Sequence, residues 1–114
     1  MSQIDRQLEK QFEQLFKEWC PGRIQFWNYT PHKSQLTLKL SREDQQGYLK
    51  IVATGITDLQ CEASWDASAI AIFENCSGWL LTDYRALHQV HYIIQAEAFE
   101  VHVVPSDDKL TNAN

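Results

Sequence analysis

Histidine is the residue type in this chain best suited to bind a metal or to transfer protons near neutral pH. The chain has four histidines, and three of them, His88, His91 and His102, lie in its C-terminal third. The spacing of His88 and His91 brings two side chains together on a helix but points them to opposite faces of a strand. Because a metal site needs three or four converging ligands, the three histidines are weak metal candidates, and we expect no metal or other cofactor.

Other catalytic motifs are absent from the sequence. Ser77 precedes Gly78, but the GxSxG pattern of the α/β-hydrolases is missing. Cys76 lies in a predicted turn, and no basic residue falls between positions 61 and 83 to activate its thiol. The glycines form neither of the phosphate-binding loops GxGxxG and GxxxxGK. The sequence therefore favours a protein that is not an enzyme.

The aromatic residues are the stronger indication of function. In the strand predicted after the helix, Ile24 and Phe26 share one face, and Trp27 and Tyr29 share the other, where they would be exposed. Exposed aromatics are typical of binding surfaces. An alternative interpretation is a second small core, because a sheet that curls into a barrel buries both of its faces locally. The binding candidates are Trp27, Tyr29, Trp79, Tyr84 and Tyr92.

One amphipathic helix at the N-terminus must pack against whatever carries these residues. Its apolar positions recur with the period of an α-helix, and charged residues separate them. Pro21 and Gly22 follow and predict a sharp end to the helix. The apolar stripe consists of Ile4, Leu8, Phe12, Leu15, Phe16 and Trp19.

The rest of the chain has the two-residue period of β-strands, interrupted by short polar turns. Leu36, Leu38 and Leu40 alternate with polar residues, which indicates a strand with one buried face. We expect residues 59–65 to form one strand, residues 69–74 to form a central or doubly covered strand, and Gly55 to mark a bend or bulge. Residues 85–95 fit either a helix or a strand, and strand is favoured from about residue 90.

The predicted fold is therefore α+β. An N-terminal amphipathic helix packs on a curved, mostly antiparallel sheet or partial barrel of six to eight short strands. Residues 1–105 are expected to form a single domain, and residues 106–114 a polar, frayed tail.

The charge of the chain is unevenly distributed. Residues 1–50 contain eight Lys and Arg against six Asp and Glu, a net charge of +2, whereas residues 51–114 contain two against nine, a net charge of −7. The acidic half argues against nucleic acid as a partner, since phosphates are bound by Lys and Arg. It allows a basic protein partner that meets the acidic C-terminal strands, but the favoured interpretation is that the acidic charge maintains solubility.

The cellular location is predicted from segments that the sequence lacks. No apolar run is long enough for a signal peptide or a membrane span, so we expect no membrane contact. Three cysteines in such a chain indicate a reducing, cytoplasmic environment, with a Cys61–Cys76 disulfide as the alternative.

Two functions remain open on this evidence. The favoured one is a small non-enzymatic module that binds a protein partner or a second copy of itself. The alternative is a small-ligand-binding domain or minor enzyme with a pocket between helix and sheet, in which His88, His91 and Asp83 would act.

Overall fold

The computed structural model describes residues 2–83 and 92–105. Helix α1 spans Ser2–Trp19, as its apolar period predicts. Its side chains Phe12, Phe16 and Trp19 are buried in the core, which confirms the predicted stripe at these positions. None of the helices in these two ranges has the length and hydropathy needed to span a membrane.

The end of α1 is held by the loop between the second and third strands. The amide of Cys20 donates to the carbonyl of Phe16 at 2.9 Å. The Arg42 guanidinium and the Gln45 side-chain amide both donate to the carbonyl of Glu18, at 2.9 and 3.1 Å. These donors satisfy carbonyls that have no partner within the helix, so the chain can turn at Pro21 without leaving them unpaired.

Seven strands follow α1 in the described part of the chain, and a single 3-10 turn, Pro31–Lys33, separates the first two. Every pairing between them is antiparallel. The sheet order is β4-β1-β2-β3-β7-β6-β5, and the sheet curls into a half-barrel. This confirms the predicted α+β fold class. The strands are β1 (Gly22–Thr30), β2 (Gln35–Ser41), β3 (Tyr48–Gln60), β4 (Ser64–Ala67), β5 (Ile70–Asn75), β6 (Gly78–Asp83) and β7 (Ile93–Val104).

The core lies between α1 and the concave face of the sheet, called the inner face below. Residues directly opposite each other on antiparallel strands share a face, and Leu38 stands opposite Ile51, with both fully buried. The opposite, convex face is called the outer face. It carries the alternate residues of the same strands, beginning with Lys39 opposite Lys50.

Strand β3 is longer than the sequence predicts. Gly55 has a φ of 71°, and the register with β7 shifts between Ile56 and Asp58, so the predicted bulge is present. The strand nevertheless continues to Gln60. The prediction of one strand over 59–65 is therefore wrong, because β3 stays paired with β7 past the bulge and residues 61–63 are left to connect β3 and β4.

Strand β5 lies at one end of the sheet order, so the first of its two predicted settings, a central strand, is wrong. Its Ile70 and Ile72 are buried because β5 is the strand that α1 contacts most closely. The Glu9 carboxylate accepts a hydrogen bond from the amide of Glu74 at 2.9 Å. Thus α1 covers both the side chains and part of the backbone of an edge that would otherwise be open to another chain.

A buried carboxylate ties the two ends of the curled sheet together. Asp83, at the end of β6, is only 2% exposed. Its oxygens accept hydrogen bonds from the amides of Ser68 and Ala69 and from the indole nitrogen of Trp65, each at 3.1 Å. Because Ser68 and Ala69 connect β4 to β5, this carboxylate fixes the link that joins the two outermost strands.

Candidate binding surface on the outer face of the sheet

Trp27 is the most exposed of the predicted binding residues that the structure describes. In β1, Phe26 stands opposite Leu38 and Asn28 stands opposite Thr37, so Trp27 is an extra residue without a partner on β2. This is a β-bulge, a feature that redirects the side chain at its centre. The indole of Trp27 lies on the outer face and is 53% exposed.

Tyr48, at the start of β3, supports this indole from the side. The two ring centroids are 5.4 Å apart with an interplanar angle of 80°, an edge-to-face contact. The Lys39 ammonium lies 4.6 Å from the centroid of the Tyr48 ring, within cation–π distance. Tyr48 is only 8% exposed although it lies on the outer face. Tyr48 therefore forms the buried base of this surface, and Trp27 and Lys39 pack against it.

A second lysine completes this surface. Lys39 on β2 stands directly opposite Lys50 on β3. Trp27, Asn28, Thr37 and Lys50 line a shallow depression of about 360 Å³. Trp27, Lys39, Tyr48 and Lys50 are called the outer patch below. The patch combines an exposed aromatic ring, a buried aromatic floor and two ammonium groups.

His102 borders the outer patch, since it stands opposite Lys50 on β7. Its ring nitrogen lies 3.1 Å from the Glu100 carboxylate, and both side chains are exposed. No three metal-ligating side chains come together in residues 2–83 and 92–105. The other two histidine candidates, His88 and His91, lie outside the described residues.

The remaining predicted binding residues that the structure describes do not share the surface of Trp27. Tyr29 is 50% exposed, but it stands opposite the buried Leu36 and so belongs to the inner face. The bulge shifts the alternation by one residue, and the prediction that Trp27 and Tyr29 share a face is therefore wrong. Tyr84 lies outside the described residues.

Trp79 and Tyr92 pack inside the molecule instead. Trp79 is buried and makes an edge-to-face contact with Phe12 on α1, with ring centroids 5.9 Å apart. Its predicted exposure is wrong because the helix covers this end of β6. Tyr92 is half-buried and stacks on Trp65 at 4.5 Å, with an interplanar angle of 4°. Trp79 belongs to the core between α1 and the sheet, and Tyr92 packs against the same core.

The cysteines and the buried carboxylate give no sign of an activated nucleophile. All three cysteines are free thiols, so the Cys61–Cys76 disulfide is absent. Burial and the neighbouring Glu62 carboxylate raise the pKa of the Cys61 thiol to about 11, and burial raises the pKa of Cys20. Asp83 is hydrogen-bonded to the β4–β5 link, which is a structural use of its carboxylate.

A cleft of about 690 Å³ lies at the end of the sheet, beside the α1–β1 junction. Two arginines line it, and each already has a carboxylate partner. Arg23 contacts Asp66 at 3.0 Å, and Arg42 holds Asp44 through two nitrogens, at 2.9 and 2.7 Å. Core side chains fill most of the region between α1 and the sheet. A depression of about 310 Å³ lies between α1 and β5, lined by Glu9, Glu13 and residues 70–73, and the predicted ligand pocket between helix and sheet stays a prediction.

Sequence reasoning missed Lys39, Tyr48 and Lys50. Each lysine alternates with buried leucines or isoleucines, which is a usable signal that it lies on a solvated face. That the two lysines face each other depends on the register between β2 and β3, which the sequence does not state.

Comparison with known proteins adds no assignment. No family model, no curated protein and no solved structure matches this chain.

Proposed function

We propose that this protein is a non-enzymatic module that binds another protein through the outer patch. The observation that carries the proposal is Trp27, whose ring is held at a bulge by Tyr48 and is still more than half exposed. A folded chain gains nothing from leaving so much aromatic surface in water. Covering the exposed part in a complex would contribute about 2–3 kcal/mol.

The setting of Trp27 supports a protein partner over a small ligand. The depression beside it is shallow and open to solvent on a sheet face, whereas ligand sites are concave and enclose most of their ligand. Interface centres are enriched in Trp and Tyr that pack tightly and are surrounded by polar residues. The outer patch has this composition.

Two further parts of the proposal concern environment and partner. Free thiols at all three cysteines support a reducing compartment such as the cytoplasm as the place of action. The preference for a basic partner assumed that acidic residues surround the exposed aromatics. The charged groups of the outer patch are lysines, so this surface lacks the acidic residues that would attract a basic partner.

Quantitative affinity capture from cells that produce the protein tests the proposal. Immobilised wild-type protein is compared with Trp27→Ala and with Leu59→Ala, a matched control because Leu59 is also an exposed apolar side chain, 41% accessible, outside the outer patch. We expect at least one captured protein that is lost with Trp27→Ala, is retained with Leu59→Ala, and binds saturably when purified.

Light scattering on the purified chain separates the two kinds of protein partner. Self-association that rises with concentration and disappears in Trp27→Ala would identify a second copy as the partner. If Trp27→Ala changes neither self-association nor any captured protein, the proposed function is wrong.

A further inference from the structure

We infer that the outer patch binds a carboxylate-rich segment of a different protein, and not a second copy of this chain. The inference rests on the proposed function and adds the chemical class of the partner. The observation behind it is the placement of Lys39 and Lys50 directly opposite each other on neighbouring strands in the middle of the sheet.

Like charges in this position weaken a sheet, whereas opposite charges would stabilise it. The two arginines at the end of the sheet are paired with carboxylates of the chain. Arg23 is paired with Asp66, and Arg42 with Asp44. Within the described residues neither Lys39 nor Lys50 forms an ion pair with a carboxylate. Among these residues no carboxylate occupies the two ammonium groups, so carboxylates of a partner can contact them.

One carboxylate lies near the two lysines. Glu100 lies on the same face of β7, and its carboxylate contacts His102. His102 stands opposite Lys50, and the two lysines with this one carboxylate give a formal charge of 2 − 1 = +1. The centre of the outer face is thus positive although the chain has a net charge of −5.

A second copy fits this surface poorly. In a twofold dimer the same patch meets itself, so the lysines of one copy would face those of the other. Juxtaposed like charges are unfavourable at an interface and reject wrong partners. A strand of nucleic acid is also disfavoured, because two lysines neutralise few phosphates and a long polyanion would extend onto the acidic remainder of the chain.

The geometry of the patch also indicates what accompanies the carboxylates. The depression between Trp27 and Lys50 offers an apolar wall beside an ammonium group. It suits a segment in which an apolar side chain adjoins an acidic one. The apolar side chain would cover Trp27 while the carboxylates reach Lys39 and Lys50.

Fluorescence anisotropy with labelled probes tests this inference. The probe is a peptide that alternates Glu with Leu, and the comparison probes are a peptide of the same length with Lys in place of Glu and a short oligothymidylate. We expect the acidic peptide to bind wild-type protein, to bind Lys39→Glu/Lys50→Glu at least about tenfold more weakly, and to bind less tightly as salt is raised.

Lys10→Glu/Lys33→Glu is the matched control, because it makes the same change in net charge at two exposed positions outside the patch. We expect it to retain most of the affinity, as should Lys39→Arg/Lys50→Arg. Circular dichroism verifies that each variant is folded. Equal binding of the acidic peptide to the Lys39→Glu/Lys50→Glu variant and to the control would overturn the inference, as would preferred binding of the lysine peptide or of oligothymidylate.

The outcome can be separated from that of the proposed function. If the partner captured through Trp27 still binds Lys39→Glu/Lys50→Glu as tightly as wild type, the acidic partner is excluded while the binding function stands. If Trp27→Ala has no effect on any partner, the function itself fails.

Discussion

Neighbouring residues on the two faces of the sheet have opposite surroundings. On the inner side, Leu38 is fully buried and the Asp83 carboxylate accepts three hydrogen bonds. On the outer side, Lys39 faces a second lysine and Trp27 is more than half exposed. The inner face buries its apolar side chains and pairs its polar groups within the chain. The outer patch keeps an exposed aromatic ring and two like charges that face each other.

Residues of the inner face contribute mainly to the stability of the fold, whereas residues of the outer patch can contribute to binding. A group that is satisfied within the fold contributes to the free energy of unfolding, and its loss is costly. An exposed group that has no partner within the fold contributes little to the free energy of unfolding. Such a group can instead stabilise a complex with another molecule. Substitutions at matched positions on the two faces should therefore differ strongly in their effect on unfolding.

The largest difference is expected between two adjacent positions of β2. Leu38→Asp places a charge in the fully buried centre of the inner face, and we expect a loss of at least about 4 kcal/mol, enough to unfold a marginal domain. Lys39→Asp changes the outer face and should shift the free energy of unfolding by less than about 1 kcal/mol. Urea denaturation followed by circular dichroism measures both. Equal effects would show that the face assignment of β2 is wrong.

Two aromatic residues provide the next contrast. Phe12→Ala removes a buried ring that contacts Trp79, and we expect a destabilisation of about 3–5 kcal/mol because a cavity is left between α1 and the sheet. Trp27→Ala removes a larger ring that contacts Tyr48 but is more than half exposed, so its effect should be about 1 kcal/mol. The midpoints of urea unfolding give the comparison. A larger effect at Trp27 than at Phe12 would place Trp27 in the core.

Two aspartates test the closure of the half-barrel. Asp83→Ala leaves the amides of Ser68 and Ala69 and the Trp65 indole without their acceptor, and we expect a loss of about 2–4 kcal/mol. Asp66→Ala breaks an exposed pair with Arg23 and should change stability by less than about 0.5 kcal/mol. Thermal unfolding of both variants gives the difference. Similar melting temperatures would contradict the role of Asp83 in holding the β4–β5 link.

The parts of the molecule that the sequence predicts are those governed by local periodicity. The helical stripe of α1 and the alternation of Leu36, Leu38 and Leu40 each specify a buried face without reference to any distant residue. Together with short connections between strands, these patterns were sufficient for the α+β class and the antiparallel sheet.

The parts that sequence reasoning missed depend on register between strands. The bulge at Trp27 exists only relative to β2, and it moves Tyr29 to the face opposite the one that simple alternation predicts. Trp79 lies in a strand with apolar residues on both sides, so alternation cannot tell which side α1 covers. The opposition of Lys39 and Lys50 likewise requires knowing how the β2–β3 hairpin is aligned.

The smallest predicted effect concerns this lysine pair and has the opposite sign to the others. Lys50→Gln removes one of two like charges that face each other in the ladder, and we expect the free energy of unfolding to rise by about 0.2–0.5 kcal/mol at low salt. The gain should shrink as salt is raised, because screening already weakens the repulsion. Lys10→Gln on the exposed side of α1 is the control and should show no such salt-dependent gain.

The same Lys50→Gln variant should bind the acidic peptide more weakly than wild type does. A substitution that stabilises the fold and weakens binding at the same position identifies a residue whose charge is unfavourable for folding and is used by a partner. If Lys50→Gln instead destabilises the chain to the extent that a buried ion pair would, Lys50 has a structural partner and the contrast between the two faces does not extend to this residue.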